Sequence, residues 1–341
     1  MMRSLANYWY QPSVITWLIL PLLLPLSWLY CVVSMIRRKL YQSNIIKSYA
    51  AAAPLVVVGN IVAGGSGKTP LLISLCEYIK ANGYKPGVVS RGYGGNVTGV
   101  HQLTDSDAAA QVGDEPLMIQ QRTQVPVVIG ADRVAAVDYL LENNRCDIVL
   151  SDDGLQHYRM RRDLEIAVVD ASRLFGNGFC LPAGPLREKV SRLQEVDLLV
   201  YNQVATNSEA VKSNAETCSY ALKFSEFIHL SKGDRFAPEH FAGRSVHAVA
   251  GIGNPGRFFM QLRENEVEVT EHAFADHHAY QQSDFSGWQD ACIIMTEKDA
   301  VKCRHLALPD AWLVRVDVAM SEGLMTQLAA KVLPLIKRSS R

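Results

Sequence analysis

The sequence predicts an α/β protein: a doubly wound parallel sheet, a second and smaller α/β domain after it, and a hydrophobic membrane helix before it. Three features predict this. Short β-branched or apolar runs alternate with amphipathic stretches and carry no hairpin signals, the pattern of strands joined by helical crossovers. The first such run, Val56-Val57-Val58, passes through Gly59, Gly64, Gly65 and Gly67 into Lys68-Thr69 and a helical stretch ending near Lys80. From Val14 to Ile36 no residue is charged. At 341 residues and 48% hydrophobic content, the chain has core-forming residues for two domains. Residues 1–45 read as the membrane-attachment segment, 46–205 as a nucleotide-binding α/β domain and 206–341 as the smaller α/β domain. The boundary is drawn inside the polar stretch from Gln203 to Ala242, and the last helix is free to pack back on the first domain.

As a helix the uncharged segment extends about 35 Å, enough to cross a hydrocarbon core. Arg37, Arg38 and Lys39 follow it against only Arg3 before it, which places the rest of the chain on the cytoplasmic side. A cleaved signal would want small residues where those cations stand. Pro21 and Pro25 each remove a helix hydrogen bond, so a full span and a kinked segment lying in one leaflet both remain open. Lys plus Arg and Asp plus Glu number 34 each, so no global basic field points to nucleic acid. The seven cysteines include no Cys-x-x-Cys pair and mostly sit in apolar strands, which reads as buried thiols in a reducing compartment.

The loop Val62-Ala63-Gly64-Gly65-Ser66-Gly67-Lys68-Thr69 is a phosphate cradle of the P-loop NTPase kind. Its glycines let backbone N–H groups converge on an anion, Lys68 reaches the outer phosphates, and the Thr69 hydroxyl suits Mg²⁺. Val62 stands where the common spacing has its first glycine, and Ala63 stands where a class of ATPase switches carries an extra lysine. Next come a strand ending in Ser90-Arg91, with Arg91 placed to bind an anion, and a turn into a helix at Asp114-Glu115-Pro116. Val125 to Gly130 is a further strand, followed by Asp132-Arg133 and a helix to about Asn143. A hydrophobic strand from Cys146 then ends in Asp152-Asp153, carboxylates at the sheet edge where a metal–phosphate group would rest. Beyond them lie His157, an arginine cluster, the loop Leu181 to Glu188 and a strand closing near Asn202. Alternation resumes at Val246, and Gly251 to Gly256 matches G-x-G-x-x-G, a lone match that does not make a dinucleotide site. Asp276-His277-His278, Thr296 to Lys302 and a closing amphipathic helix from Gly323 to Ile336 complete the chain.

These stretches resemble, in order and over nearly the whole chain, the tetraacyldisaccharide 4'-kinase family, the lipid A 4'-kinases of Gram-negative bacteria. The matching runs are residues 58–70, 90–94, 112–116, 152–157, 181–188, 250–259, 276–280 and 296–302. The resemblance implies transfer of the γ-phosphoryl group of ATP to the 4'-hydroxyl of a lipid A disaccharide precursor, with Mg²⁺, at the cytoplasmic face of the bacterial inner membrane. It implies roles for Lys68 and Thr69 at the phosphates and metal, for Asp152 and Asp153 at Mg²⁺, and for Asp114 as catalytic acid working with His277. Arg91, Arg133, His157 and Glu188 fall in matching motifs as substrate or phosphate contacts. The implied partners are the lipid acceptor and the inner leaflet, with neither nucleic acid nor an obligate protein partner. The alternative from another class is a membrane-tethered P-loop ATPase switch, against which Ala63 counts. A metal phosphoesterase built on Asp276-His277-His278 would leave the Lys68 loop without a purpose.

Overall fold

An unbroken run of apolar residues buried on both faces is what a central parallel strand demands, and Leu55 to Val58 meets that demand with exposures of 0–1%. The computed structural model describes residues 5–10, 14–203 and 215–339. Its first half holds α1 (Leu5–Tyr10), α2 (Val14–Gln42), β1 (Leu55–Gly59), α3 (Lys68–Ala81), β2 (Pro86–Ser90), β3 (His101–Gln102), α4 (Ala109–Val112) and α5 (Asp114–Thr123). After these come β4 (Val127–Ile129), α6 (Arg133–Asn143), β5 (Ile148–Asp152), β6 (Leu164–Asp170) and β7 (Leu198–Asn202). The second half adds β8 (Glu216–His229), β9 (Arg235–Phe236), β10 (Ser245–Ala250), α7 (Pro255–Glu264), β11 (Glu268–Ala273), β12 (Ile293–Thr296), α8 (Glu297–Cys303), β13 (Ala311–Met320) and α9 (Glu322–Ser339).

All described strands join one sheet, ordered β11-β10-β12-β13-β8-β7-β6-β1-β5-β2-β4-β3 with β9 on the side of β8. From β8 to β4 neighbouring strands are parallel, and so are those from β13 to β11. The two blocks meet where β13 pairs antiparallel with β8, with a register shift between Arg315 and Val316. The polar stretch in which the sequence places a domain boundary therefore contains β8. Its residues alternate around Tyr220, Leu222, Phe224 and a buried Phe227, a pattern diluted by Ser, Lys and Glu on an incompletely covered strand. The proposed division at residue 205 lies outside the described residues.

Helices cover both faces. Val56 and Val58 pack with α3, while Leu55 and Val57 pack with α6, because successive side chains on a strand point to opposite faces. In the second block Phe258, Phe259 and Leu262 of α7 fill one face, and Ala300 and Cys303 of α8 fill the other. The last helix, α9, buries Leu324, Leu328, Val332 and Ile336 in the same cluster as α3. Four apolar side chains, each stabilising by roughly 1.5–3 kcal/mol when buried, hold it there.

One further helix stands apart in character. Leu18–Gln42 within α2 contains an 18-residue window with a mean hydropathy of 2.1 and is long and apolar enough to cross a membrane. One side touches the body: the buried Ser27 donates to Cys180 O at 2.7 Å, and Arg38 and Gln42 both bond Glu195. The other side exposes Leu18, Leu22, Leu26, Trp28, Leu29 and Val33.

Candidate active site

The glycine loop is fixed by its carbonyls. Asn60, fully buried at the end of β1, donates to Ser66 Oγ at 3.0 Å. Asn202 at the end of β7 donates to Ser66 O at 3.1 Å, and the Tyr220 hydroxyl donates to Gly67 O at 2.6 Å. Among the described residues the amides of 64–68 donate no such loop hydrogen bond, as an anion cradle at a helix N-terminus requires. Gly67 caps α3 with φ +84°, a left-handed conformation that only glycine adopts freely. The loop after β10 closes in from the second block, so near that a Cβ on Gly253 would lie 3.0 Å from Gly65 N.

Opposite the loop, β5 delivers the two aspartates. Asp152 is 2% exposed, accepts from Ser90 Oγ at 3.2 Å and leaves Oδ1 without a hydrogen-bond partner. Burial, then the nearby carboxylates of Glu115 and Asp153, push its carboxyl up to about 7. Asp153, at φ +50°, lies between Lys68 Nζ at 3.4 Å and Arg187 Nη1 at 2.7 Å. Burial opposes its charge, yet those two cations hold the carboxyl well below the usual range. Arg133 is 3% exposed, donates to Asp152 O at 3.1 Å and keeps Nε and Nη1 unpartnered. Burial lowers it to about 10. His157 is driven down to about 4 by burial and by Arg133 and Arg91, so it is neutral at physiological pH.

A second cluster joins the two halves of the chain. His277, in the loop after β11 with φ +61°, places Nδ1 3.0 and 3.1 Å from the carboxylate oxygens of Asp114 at the start of α5. The Tyr93 ring packs edge-on against the imidazole, 5.0 Å between centroids. The Asp114 bond raises His277 above its ordinary value. Burial pushes Asp114 up, but the His277 bond and the ammonium groups of Lys298 and Lys302 bring it down on balance.

These groups surround a cleft of about 600 Å³ that contains Lys68, Thr69, Arg91, Asp152, Asp153 and His277, with Tyr30 of α2 at its margin. An adjoining hollow of about 210 Å³ shares Gly65, Gly67 and Thr69 and is walled by Met118, Ile252 and Phe258. Ala63, Gly64, Ser66, Arg133 and His157 also line the cleft. Three residues singled out from sequence do not. Val62 bridges to Leu186 at the base of the loop, Asp114 stands behind His277, and Glu188 is buried beneath the cleft wall. There Glu188 accepts from the Tyr158 hydroxyl and from Gln156 Nε2 at 2.9 Å, so it orients Gln156, which does line the cleft. Sequence reasoning did not single out Arg187 or Lys298. Arg187 sits two residues after Pro185 in a rigid loop, and Lys298 follows directly on a strand end, the position where α/β proteins carry site residues.

The model of the tetraacyldisaccharide-1-P 4'-kinase family matches residues 19–333. Proteins named tetraacyldisaccharide 4'-kinase are similar over nearly their whole length. That of Colwellia psychrerythraea is 43% identical, covering 94% of this chain and 95% of its own, and that of Ectopseudomonas mendocina is 46% identical with the same coverage. Among solved structures, LpxK from Aquifex aeolicus in complex with ATP aligns with a TM-score of 0.79 and 26% identity, covering 96% of this chain and 99% of that one.

Proposed function

The chain belongs to the tetraacyldisaccharide-1-P 4'-kinase family, and from that premise we infer that it is an ATP-dependent kinase acting on the 4'-hydroxyl of a tetraacyldisaccharide 1-phosphate, a step in lipid A biosynthesis. The observation that carries the reading is the juxtaposition, in one cleft, of the Lys68 loop and a His277 already paired with Asp114.

The triphosphate of ATP lies on the loop amides, with Lys68 at the outer phosphates. The base enters the apolar hollow beside Met118, Ile252 and Phe258. The donor set fits Mg²⁺: a threonine hydroxyl and two carboxylates are hard oxygen ligands, and the buried Asp152 Oδ1 has no hydrogen-bond partner among the described residues. Thr69, Asp152 and Asp153 would hold the ion, which supplies charge neutralisation at the phosphates. Phosphoryl transfer asks chiefly for positioning and preorganised charge, which Lys68, Arg91 and Arg133 provide from fixed positions. The acceptor hydroxyl gives up its proton to the Asp114–His277 pair, whose His277 member lines the cleft. Asp114 fixes the ring and stabilises the positive charge the ring acquires. Arg187 holds Asp153 on the phosphate side, and Glu188 positions Gln156.

In this reading residues 46–205 supply the loop, the metal-side acids and Asp114, and residues 206–341 supply His277, so the cleft lies between two domains. The exposed apolar side of α2 rests in the inner leaflet of the bacterial inner membrane with the body on the cytoplasmic side. A helix docked along one side and apolar on the other fits a segment lying in one leaflet. Tyr30 at the cleft margin sets the opening toward that surface, where a lipid acceptor arrives. The test is to incubate the enzyme with ATP, Mg²⁺ and the tetraacyldisaccharide 1-phosphate and to locate the new phosphate by NMR. Phosphate on the 4' oxygen, absent without Mg²⁺, supports the reading, and phosphate elsewhere or ATP hydrolysis alone refutes it.

A further inference from the structure

The Asp114–His277 pair is not alone in its corner of the cleft. The helix α8 directs two lysines at it, four residues apart and so on the same face. Lys298 Nζ lies 3.5 Å from His277 Nε2 and 3.9 Å from Asp114 Oδ2, and its side chain is 13% exposed. Asp276 at 3.0 Å and Glu115 at 3.1 Å clasp the same ammonium. Lys302 Nζ, 9% exposed, sits 3.8 Å from Asp114 Oδ2 and 2.9 Å from the fully buried Asp299. Asp299 is tied in turn to Gly251 N and the Thr296 hydroxyl, so α8 is locked to the loop after β10.

We propose that Lys298 is a positioning residue of the proton-accepting pair: its ammonium faces Nε2 of His277 and opposes a resting proton there, which leaves Nδ1–H bonded to Asp114 and the pair ready to accept. The proposal rests on the reading that this pair takes the acceptor's proton. The geometry explains the charge pattern around it. Without a cation at Nε2, an imidazole bonded to a buried carboxylate gains a proton readily and idles as imidazolium. With the lysine in place, its positive charge opposes the rise that the Asp114 bond imposes on the ring, which favours the unprotonated form a general base needs. Asp276 and Glu115 fix the lysine against the ring. Lys302, paired with Asp299 and 3.8 Å from Asp114, helps lower that carboxyl. Among the described residues the groups facing His277 are Asp114 from α5, Lys298 from α8, Asp276 3.8 Å away on its own loop, and the Tyr93 ring. The two carboxylates favour the charged ring and the lysine opposes it.

The full chain in detergent micelles provides the test. The His277 ring is titrated by NMR in wild type, Lys298→Met and Lys298→Arg, its signal assigned by its loss in His277→Asn, and kcat/KM is measured against pH in the same preparations. Lys298→Met is expected to raise the His277 pKa and to move the acid limb of kcat/KM to higher pH, so that its activity relative to wild type is lower near about pH 6 than near about pH 8. Lys298→Arg restores both, and the KM for ATP stays as in wild type. Lys298→Gln takes the place of the methionine variant if that chain unfolds. A His277 titration unchanged in the neutral variants overturns the proposal even if the enzyme phosphorylates lipid normally. A wild type that never phosphorylates lipid overturns the kinase reading, while the titration still reports on Lys298.

Discussion

Replacing Gly67 with alanine tests whether the loop is held as described. At φ +84° an L side chain costs about 1–2 kcal/mol in backbone strain. The new Cβ would lie 2.2 Å from Asn202 Nδ2 and 2.7 Å from the Tyr220 hydroxyl, distances at which something must move. Those two groups are the anchors of Ser66 O and Gly67 O, and Asn202 also receives Arg257 at 3.1 Å. Losing two such hydrogen bonds costs about 1 kcal/mol each, and overpacking adds about 1–3 kcal/mol. The sum is roughly 4 kcal/mol or more, a fall in the thermal midpoint on the order of 10 °C. Gly65→Ala is the control: its Cβ meets nothing within 4 Å, so stability holds while the methyl intrudes on the phosphate cradle. Thermal unfolding in micelles, with ATP affinity by fluorescence or calorimetry, separates the two. If Gly67→Ala unfolds within about 2 °C of wild type, the anchoring by Asn202 and Tyr220 is wrong.

Three other outcomes follow from the same contacts. Arg122, 4% exposed at its side chain, joins Glu297 at 2.8 Å and Asp317, so Arg122→Met strands the half-buried carboxylate of Glu297 and costs about 1–3 kcal/mol in urea unfolding. The His277–Asp114 pair contributes most stability where both are charged. His277, raised when folded, contributes below its unfolded value and loses that as pH rises through the folded pKa. Asp114, depressed when folded, contributes above its unfolded value and loses that as pH falls through the folded pKa. His277→Asn is therefore most destabilising between about pH 4 and pH 6.5, and the difference shrinks toward about pH 9. A difference that grows with pH would reverse the assignment. Replacing Leu22, Leu26 and Leu29 on the exposed side of α2 with glutamate releases the protein from membrane pellets into the soluble fraction with ATP binding intact.

The strand, glycine loop and helix around Lys68 were legible because their signal is local: the glycines, Lys68 and Thr69 lie within a dozen residues of one another. The same holds for Asp152 and Asp153 at a strand end and for the uncharged face of α2. What the sequence concealed is what depends on docking. Asp114 and His277 are 163 residues apart, so the family resemblance was the source of their expected pairing and nothing local to either residue states it. Lys298 and Lys302 become part of the site only because α8 packs against α5, and Glu188 turns from a site candidate into the support of Gln156 once Tyr158 is placed beside it. The strand β8 was hidden by its polar composition, although it pairs with β7 on one side and β13 on the other to make one sheet of the two blocks.

The proposed mechanism places the phosphate loop and the proton acceptor, from the two halves of the chain, in one cleft. It is tested by measuring transfer of label from γ-labelled ATP to tetraacyldisaccharide 1-phosphate by wild type, Lys68→Ala, Asp114→Ala and His277→Ala, each verified as folded. Labelled lipid is expected from wild type, with losses of about 100-fold or more in all three variants. Labelled lipid undiminished in His277→Ala, or ATP hydrolysis with no labelled lipid in wild type, would contradict it.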